Sequence, residues 1–153
     1  MISETARYHG SFFVLLLEAL RGPVMLTPLR NYGVGFYLLG DSIPLYVKHS
    51  TKRHGPWTFN FFQVHQESQD ELFRRYGECI TCLVCGRDGV AGLRMKEMRQ
   101  VLDHSFKEQE CISVKRRLKT MYQIKGRDGA LDKRVSRKSV FEKISIACEN
   151  NRQ

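Results

Sequence analysis

The stretch that decides the fold is residues 36–50, FYLLGDSIPLYVKHS, in which two apolar runs flank a short polar turn. The runs Phe36–Leu39 and Ile43–Ser50 are therefore predicted to pair as a β-hairpin. Side chains alternate across a strand, so the core face of the second run is predicted to carry Ile43, Leu45, Val47 and His49. Lys48 falls on the opposite face.

Apolar runs on both sides of the hairpin predict the rest of the fold. Residues 79–85, CITCLVC, are almost continuously apolar, as in a central strand that is covered on both faces. Further strands are predicted at 24–29, 57–62, 90–93, 111–114 and 121–125. Helices are predicted at 10–21, 66–76 and 96–106. The predicted class is mixed α/β (α+β), with a single central mixed sheet flanked by helices.

The chain of 153 residues is predicted to form a single domain, 1–153, because no linker-like stretch divides it. Its α/β core is expected at 10–106, with a basic C-terminal extension, 111–153, packed on that core. The end of this extension, near 135–144, is expected to be weakly structured. The side chains predicted to be buried are Phe12, Leu16, Leu45, Val47, Leu83 and Val84.

The charge pattern indicates a polyanionic partner. The chain carries 25 Lys plus Arg against 16 Asp plus Glu, a net charge of +9, and most of the excess lies between residues 112 and 143. DNA or RNA, contacted through its phosphates, is the predicted partner. The candidate contact residues are Lys48, Lys52, Arg53, Lys115, Arg116, Arg117, Lys133, Arg134, Arg137 and Lys138. The alternative is a protein-interaction module that binds an acidic partner protein.

The spacing of three cysteines is compatible with a metal site, but the strand pattern of the same residues disfavours one. Cys79, Cys82 and Cys85 have a spacing found in some zinc sites, but residues three apart on a strand face opposite sides. We interpret them as buried thiols. The odd count of five Cys, with no signal peptide and no stretch long enough to span a membrane, favours a cytoplasmic protein without a membrane partner.

The order helix, hairpin, helix, strand, with Lys48 on the second hairpin strand, resembles the PD-(D/E)XK restriction-endonuclease-like superfamily. In that family, carboxylates hold Mg²⁺ and the lysine stabilises charge at the scissile phosphate. The resemblance implies Lys48, Glu18 and Asp41 as catalytic residues, and Glu18, Asp41 and Glu67 as metal ligands, with Asp70 or Glu71 as replacements on the second helix. Tyr46 occupies the position of a family acid, and a protonated phenol is not a normal Mg²⁺ ligand.

The sequence therefore predicts a nucleic-acid-binding domain related to nucleases but without efficient catalysis. It needs no cofactor in that role, and the alternative, an endonuclease with a rearranged carboxylate site, requires Mg²⁺. Residues 46–59, together with the turn at 83–89, are also similar to an uncharacterised family of small bacterial proteins. That similarity implies a bacterial setting and no particular activity.

Overall fold

The central sheet is built around two neighbouring parallel strands with almost wholly apolar sequences. In the computed structural model, which describes residues 1–151, Ile43–Ser50 and Ile80–Cys85 pair in parallel, with Leu45 opposite Ile80 and Ser50 opposite Cys85. All side chains of Ile80–Cys85 are buried, as its continuous apolar run predicts, and so are those of residues 43–47. The predicted hairpin is confirmed, since Phe36 pairs with Tyr46 and Leu39 with Ile43.

The described residues contain four helices and two sheets. The helices are α1 (Glu4–Leu20), α2 (Gln63–Tyr76), α3 (Met95–Val101) and α4 (Ser139–Asn150). The first sheet, in spatial order, contains β1 (Leu26–Pro28), β2 (Phe36–Leu39), β3 (Ile43–Ser50), β5 (Ile80–Cys85) and β6 (Gly89–Leu93). The second contains β4 (Trp57–Phe62), β7 (Gln109–Lys115), β8 (Gln123–Gly126) and β9 (Gly129–Ala130). The mixed α/β class is confirmed.

The second sheet was not expected. Its first strand, β4, alternates as predicted, with Trp57, Phe59 and Phe61 buried and the intervening residues exposed. It pairs with β7 in antiparallel register, Trp57 opposite Val114. The buried residues of both strands join one core cluster with those of α3 and with Tyr46 and Leu83 of the central sheet. The second sheet therefore covers one face of the first.

Helices α1 and α4 cover the other face of the central sheet. Phe12 and Leu16 of α1 share a core cluster with Leu45 and Val47 of β3 and with Val140 and Ile144 of α4. Because Val47 belongs to this cluster and Tyr46 to the other, successive residues of β3 face opposite layers. Consequently, α1 and α2 lie on opposite faces of the sheet.

The ends of the helices differ from the prediction at identifiable residues. α1 begins at Glu4 because the side chain of Ser3 accepts a hydrogen bond from the amide of Ala6 (3.1 Å). α2 ends at the left-handed Gly77, as predicted. α3 ends at Val101, so the predicted extent to residue 106 is wrong.

The weakly structured end predicted near 135–144 is also wrong, because α4 occupies 139–150. Val140 and Ile144 are fully buried, and Val140 packs so tightly on Gly92 that a Cβ there would lie 2.4 Å from the Cβ of Val140. Lys143 anchors the same helix by donating to the carbonyl oxygen of Gly92 (2.7 Å). These contacts hold α4 against β6.

The predicted core is confirmed for all six residues, each no more than 5% exposed. Cys79, Cys82 and Cys85 are buried as predicted, and Cys82 lies in the opposite cluster from the other two. In residues 1–151, no group of three or more His, Cys, Asp or Glu side chains is arranged to hold a metal ion. Within the same range, no helix has the length and hydropathy that crossing a bilayer requires.

Candidate functional site

Lys48 lies near the carboxyl end of β3, beyond the last residue that pairs with β2. Its Nζ atom lies 3.2 Å from the hydroxyl oxygen of Tyr46 and 5.1 Å from the centre of the Phe61 ring. The side chain is partly buried, and burial lowers its pKa to about 8. No carboxylate in residues 1–151 forms an ion pair with it (the ion pairs of this range all involve other cations).

Tyr46 forms the floor of this site. Its ring is 1% exposed and stacks on Phe36 with a centroid distance of 4.0 Å. Burial raises the pKa of its hydroxyl, so the group stays a neutral phenol over the whole physiological range. Tyr46 therefore offers Lys48 a neutral acceptor and no counter-charge.

Two histidines lie near Lys48 on the side of α1, on the face of the sheet opposite the lysine side chain. The Nδ1 atom of His9 lies 2.9 Å from the hydroxyl of Tyr37, and burial, together with the charges of His49 and Lys48, lowers the pKa of His9 to about 4. His49 stacks on Tyr8 (4.8 Å between ring centres) and meets the edge of His9 (5.6 Å). The pKa of His49 is also lowered, mainly by burial.

A third histidine, His65, approaches from α2 on the opposite face of the sheet. Its ring centre lies 5.8 Å from that of Tyr46, and its Nδ1 atom is buried without a hydrogen-bond partner in the described residues. Burial, and secondarily the charge of Lys48, lowers its pKa. The site thus combines one ammonium group with neutral imidazoles, an arrangement rich in N–H donors.

Gly35 allows the chain to pass this closely beside β3. Its φ of +95° is unfavourable for other residues, and a Cβ there would lie 2.5 Å from the carbonyl oxygen of Val47. The carbonyl oxygen of Gly35 accepts a hydrogen bond from the amide of Val47 (2.8 Å). In residues 1–151, the pairing of β3 with β2 ends at Tyr46, before Lys48 and His49.

The carboxylates implied by the nuclease resemblance lie in three different places. Glu18 is exposed on α1 and borders a cleft on that face of the sheet. Asp41 lies in the turn between β2 and β3, beside a different groove. Glu67 is exposed on α2, on the opposite face, where it accepts a hydrogen bond from Gln63 (2.9 Å). These residues do not fit an Mg²⁺ site, which needs oxygens converging on one ion.

The basic residues divide into exposed and engaged groups. The exposed ones are Lys52, Arg53, Lys115, Arg117, Lys133, Arg134, Arg137 and Lys138. Arg116 differs, because its Nε donates to Asp88 (2.7 Å) and its side chain is 11% exposed. Tyr122 also donates to Asp88 (2.8 Å). This network ties the end of the second sheet to the turn between β5 and β6.

Sequence reasoning did not assign the histidines to the site. His9, His49 and His65 are separated by 40 and 16 residues in the sequence, and none belongs to a recognisable spacing. The alternation of β3 placed His49 on the face of the core and Lys48 on the other face. The alternation did not indicate that His49 and Lys48 lie at one site. Their surroundings depend on how α1 and α2 pack at the end of the strand.

Comparison with protein-family models gives no match, and comparisons with curated proteins and with solved structures give none either.

Proposed function

We propose that this chain is a nucleic-acid-binding domain that holds a phosphate of its ligand at Lys48 and does not cleave it efficiently. The observation that supports the proposal is the partly buried ammonium group of Lys48, which has no carboxylate partner in residues 1–151. Buried charges are normally paired, because removal from water penalises them. An anionic ligand supplies the missing counter-charge.

A phosphate matches the donors around Lys48. Its oxygens accept hydrogen bonds from an ammonium group and from an imidazole N–H group such as that of His65, on the same face of the sheet. Further cations follow the same ends of the two parallel strands, Lys52 after β3 and Arg87 after β5. A ligand with a row of phosphates contacts Lys48 and these further cations, whereas a single small anion contacts only the groups beside Lys48.

The proposal builds on the resemblance of the sequence to the restriction-endonuclease-like superfamily, which assigns a phosphate-contacting role to Lys48. Weak catalysis is proposed for two reasons. Tyr46 supplies a neutral phenol where that family has an acid, and Glu18 and Glu67 lie on opposite faces of the sheet. A domain that only binds nucleic acid needs the lysine for its phosphate contact, but it does not need the carboxylates that hold Mg²⁺ in the nucleases.

The test is a titration of labelled single-stranded and duplex oligonucleotides of about 20 nucleotides, followed by fluorescence anisotropy. Affinity should fall between about 50 and 200 mM salt, as phosphate contacts require. Lys48→Met should weaken binding about tenfold, because the partly buried contact is lost. The matched control is Lys96→Met, on the exposed face of α3. Absence of association at low salt with either ligand would refute the proposal.

Two further assays separate the alternatives. Incubation of the same oligonucleotides with Mg²⁺ or Mn²⁺ should give no cleavage that depends on Lys48, and cleavage abolished by Lys48→Ala would instead favour the rearranged nuclease. Pull-down from a bacterial cytoplasmic lysate, before and after nuclease treatment, distinguishes nucleic acid from an acidic protein. A partner that survives the treatment contradicts the proposed function.

A further inference from the structure

A cleft of about 830 Å³ lies between α1 and the turn that joins β5 to β6, next to the start of α4. Four basic residues border it, from three separate parts of the chain: Arg7, Arg87, Arg137 and Lys138. The volume is within the usual range of pockets that bind small molecules and cofactors.

The cations of this cleft are mostly free to meet an anion. Arg7, Arg87 and Lys138 form no ion pair within residues 1–151. Arg137 lies 4.0 Å from Asp88, a carboxylate that Arg116 already neutralises. Glu18 is the other acid on the rim. Positive charge therefore exceeds negative charge along the cleft.

The rest of the lining is apolar and aromatic. Leu15 of α1 is 41% exposed although it lines the cleft, and Tyr8 and Phe141 line it as well. Basic side chains interspersed with ring surfaces are typical of sites for single-stranded nucleic acid, in which bases stack and phosphates meet cations. The bases of a duplex are paired and stacked on one another, so their faces cannot contact the apolar wall of the cleft.

Tyr8 joins the cleft to His49, which lies on the face of the central sheet opposite the side chain of Lys48. The ring of Tyr8 borders the cleft and also stacks on His49, with 4.8 Å between ring centres and an interplanar angle of 3°. His49 follows Lys48 directly on β3. A strand whose phosphate lies at Lys48 thus reaches the cleft by passing around the end of β3, where the pairing with β2 has ended, and then over Tyr8.

We infer that this cleft binds the bases and phosphates of single-stranded nucleic acid adjoining the phosphate held at Lys48. The inference rests on the proposed function and specifies its ligand class. Lys48 supplies one phosphate contact, Arg7 and Arg87 supply the next, and the wall formed by Leu15 and Tyr8 contacts the bases. The domain then prefers single strands to duplexes.

The experiment compares wild type with Arg7→Ala and Leu15→Gln, two changes at exposed positions that leave the core intact. Circular dichroism verifies the fold. Each variant should weaken binding of a labelled single strand about five- to tenfold, with duplex affinity changed less than about twofold. Lys96→Ala, outside the cleft, is the control for lost positive charge. Oligodeoxythymidine and oligouridine arms establish whether DNA or RNA is preferred.

Photo-crosslinking of a strand that carries bromouracil or thiouracil gives a second readout. Adducts should map to the peptide containing Tyr8 or to the one containing Arg87. If the cleft variants bind as wild type does while Lys48→Met loses affinity, the cleft inference fails and the proposed function stands. An equal loss for single strand and duplex also overturns it. If wild type binds neither ligand, the proposed function itself fails.

Discussion

The ammonium nitrogen of Lys48 lies 3.2 Å from the hydroxyl oxygen of Tyr46, two residues earlier on the same strand. Tyr46 is buried and its pKa is raised, so the contact joins a charge to a neutral group. The lysine consequently keeps its desolvation cost without an ionic partner, and its pKa falls to about 8. A residue that costs stability in the free protein is best explained by its role toward a ligand.

Replacement of Lys48 by Met should stabilise the protein while it weakens binding. The free energy of unfolding at neutral pH is expected to rise by about 1–3 kcal/mol, because a partly buried charge without a partner is removed. The wild-type lysine titrates at about 8 in the folded state and near 10.5 when unfolded. Between these two pKa values the unfolded chain binds more protons than the folded protein, so the stability of wild type rises with pH. The difference in free energy of unfolding between wild type and Lys48→Met therefore becomes smaller.

Urea unfolding at several pH values measures this difference. Lys96→Met, at an exposed position, should change the free energy of unfolding by less than about 0.5 kcal/mol. A Lys48→Met variant less stable than wild type would show that Lys48 is a structural residue.

Binding of the oligonucleotide should weaken as pH rises through about 8, the value at which the ammonium group of Lys48 loses its proton. Lys48→Arg should remove this dependence between about pH 7 and 9, because a guanidinium group stays protonated there. Anisotropy titrations at constant ionic strength test both statements. An equally steep pH profile in wild type and Lys48→Arg would assign the effect to other groups.

The close passage of Gly35 beside β3 should make its substitution costly. Gly35→Ala combines a φ of +95° with a Cβ only 2.5 Å from the carbonyl oxygen of Val47. We expect a loss of about 2–4 kcal/mol in the free energy of unfolding. Gly40→Ala is the matched control, since Gly40 also has a positive φ (+62°) but open space around it. That variant should lose about 1 kcal/mol. Equal losses would show that backbone strain alone governs both positions.

The carboxylate of Asp88 should link the second sheet to the β5–β6 turn. Hydrogen bonds from Arg116 lower its pKa below the ordinary value. A depressed pKa contributes stability above the unfolded value, and this contribution is lost as pH falls toward the folded pKa. Asp88→Asn should cost about 2 kcal/mol at neutral pH, since the charge-assisted hydrogen bonds are lost.

Thermal unfolding of this variant and of wild type at pH values from neutral to acid checks the prediction. The two melting temperatures should converge in acid, where Asp88 of wild type is protonated as well. Asp41→Asn, in an exposed turn, serves as the control. A constant difference across the pH range would contradict the ionic role of Asp88.

Much of the central sheet was predictable from local sequence. The bounds of Phe36–Leu39 and Ile43–Ser50 agree with the prediction because the turn residues and the apolar runs lie within fifteen consecutive residues. The run Ile80–Cys85 identified a strand covered on both faces by composition alone. Lys48 was singled out because its place on the second strand of the hairpin resembles that of the lysine in the nuclease superfamily.

The rest depended on contacts between distant parts of the chain. α4 was missed because Val140 and Ile144 give a short apolar stripe that becomes stable only when it packs on Gly92 and α1. The second sheet exists because β4 meets β7 nearly fifty residues later. Local pattern does not encode such a pairing.

The sequence by itself determined the class of fold, the buried strands and the lysine. Only the tertiary structure decided what surrounds that lysine, since His9 arrives on α1 and His65 on α2, from opposite faces of the sheet. It also placed Glu18 and Glu67 on opposite faces of the sheet, although the order of elements in the sequence was compatible with their lying close together. The physical reason is that periodicity and composition act over a few residues, whereas a site requires side chains brought together by packing.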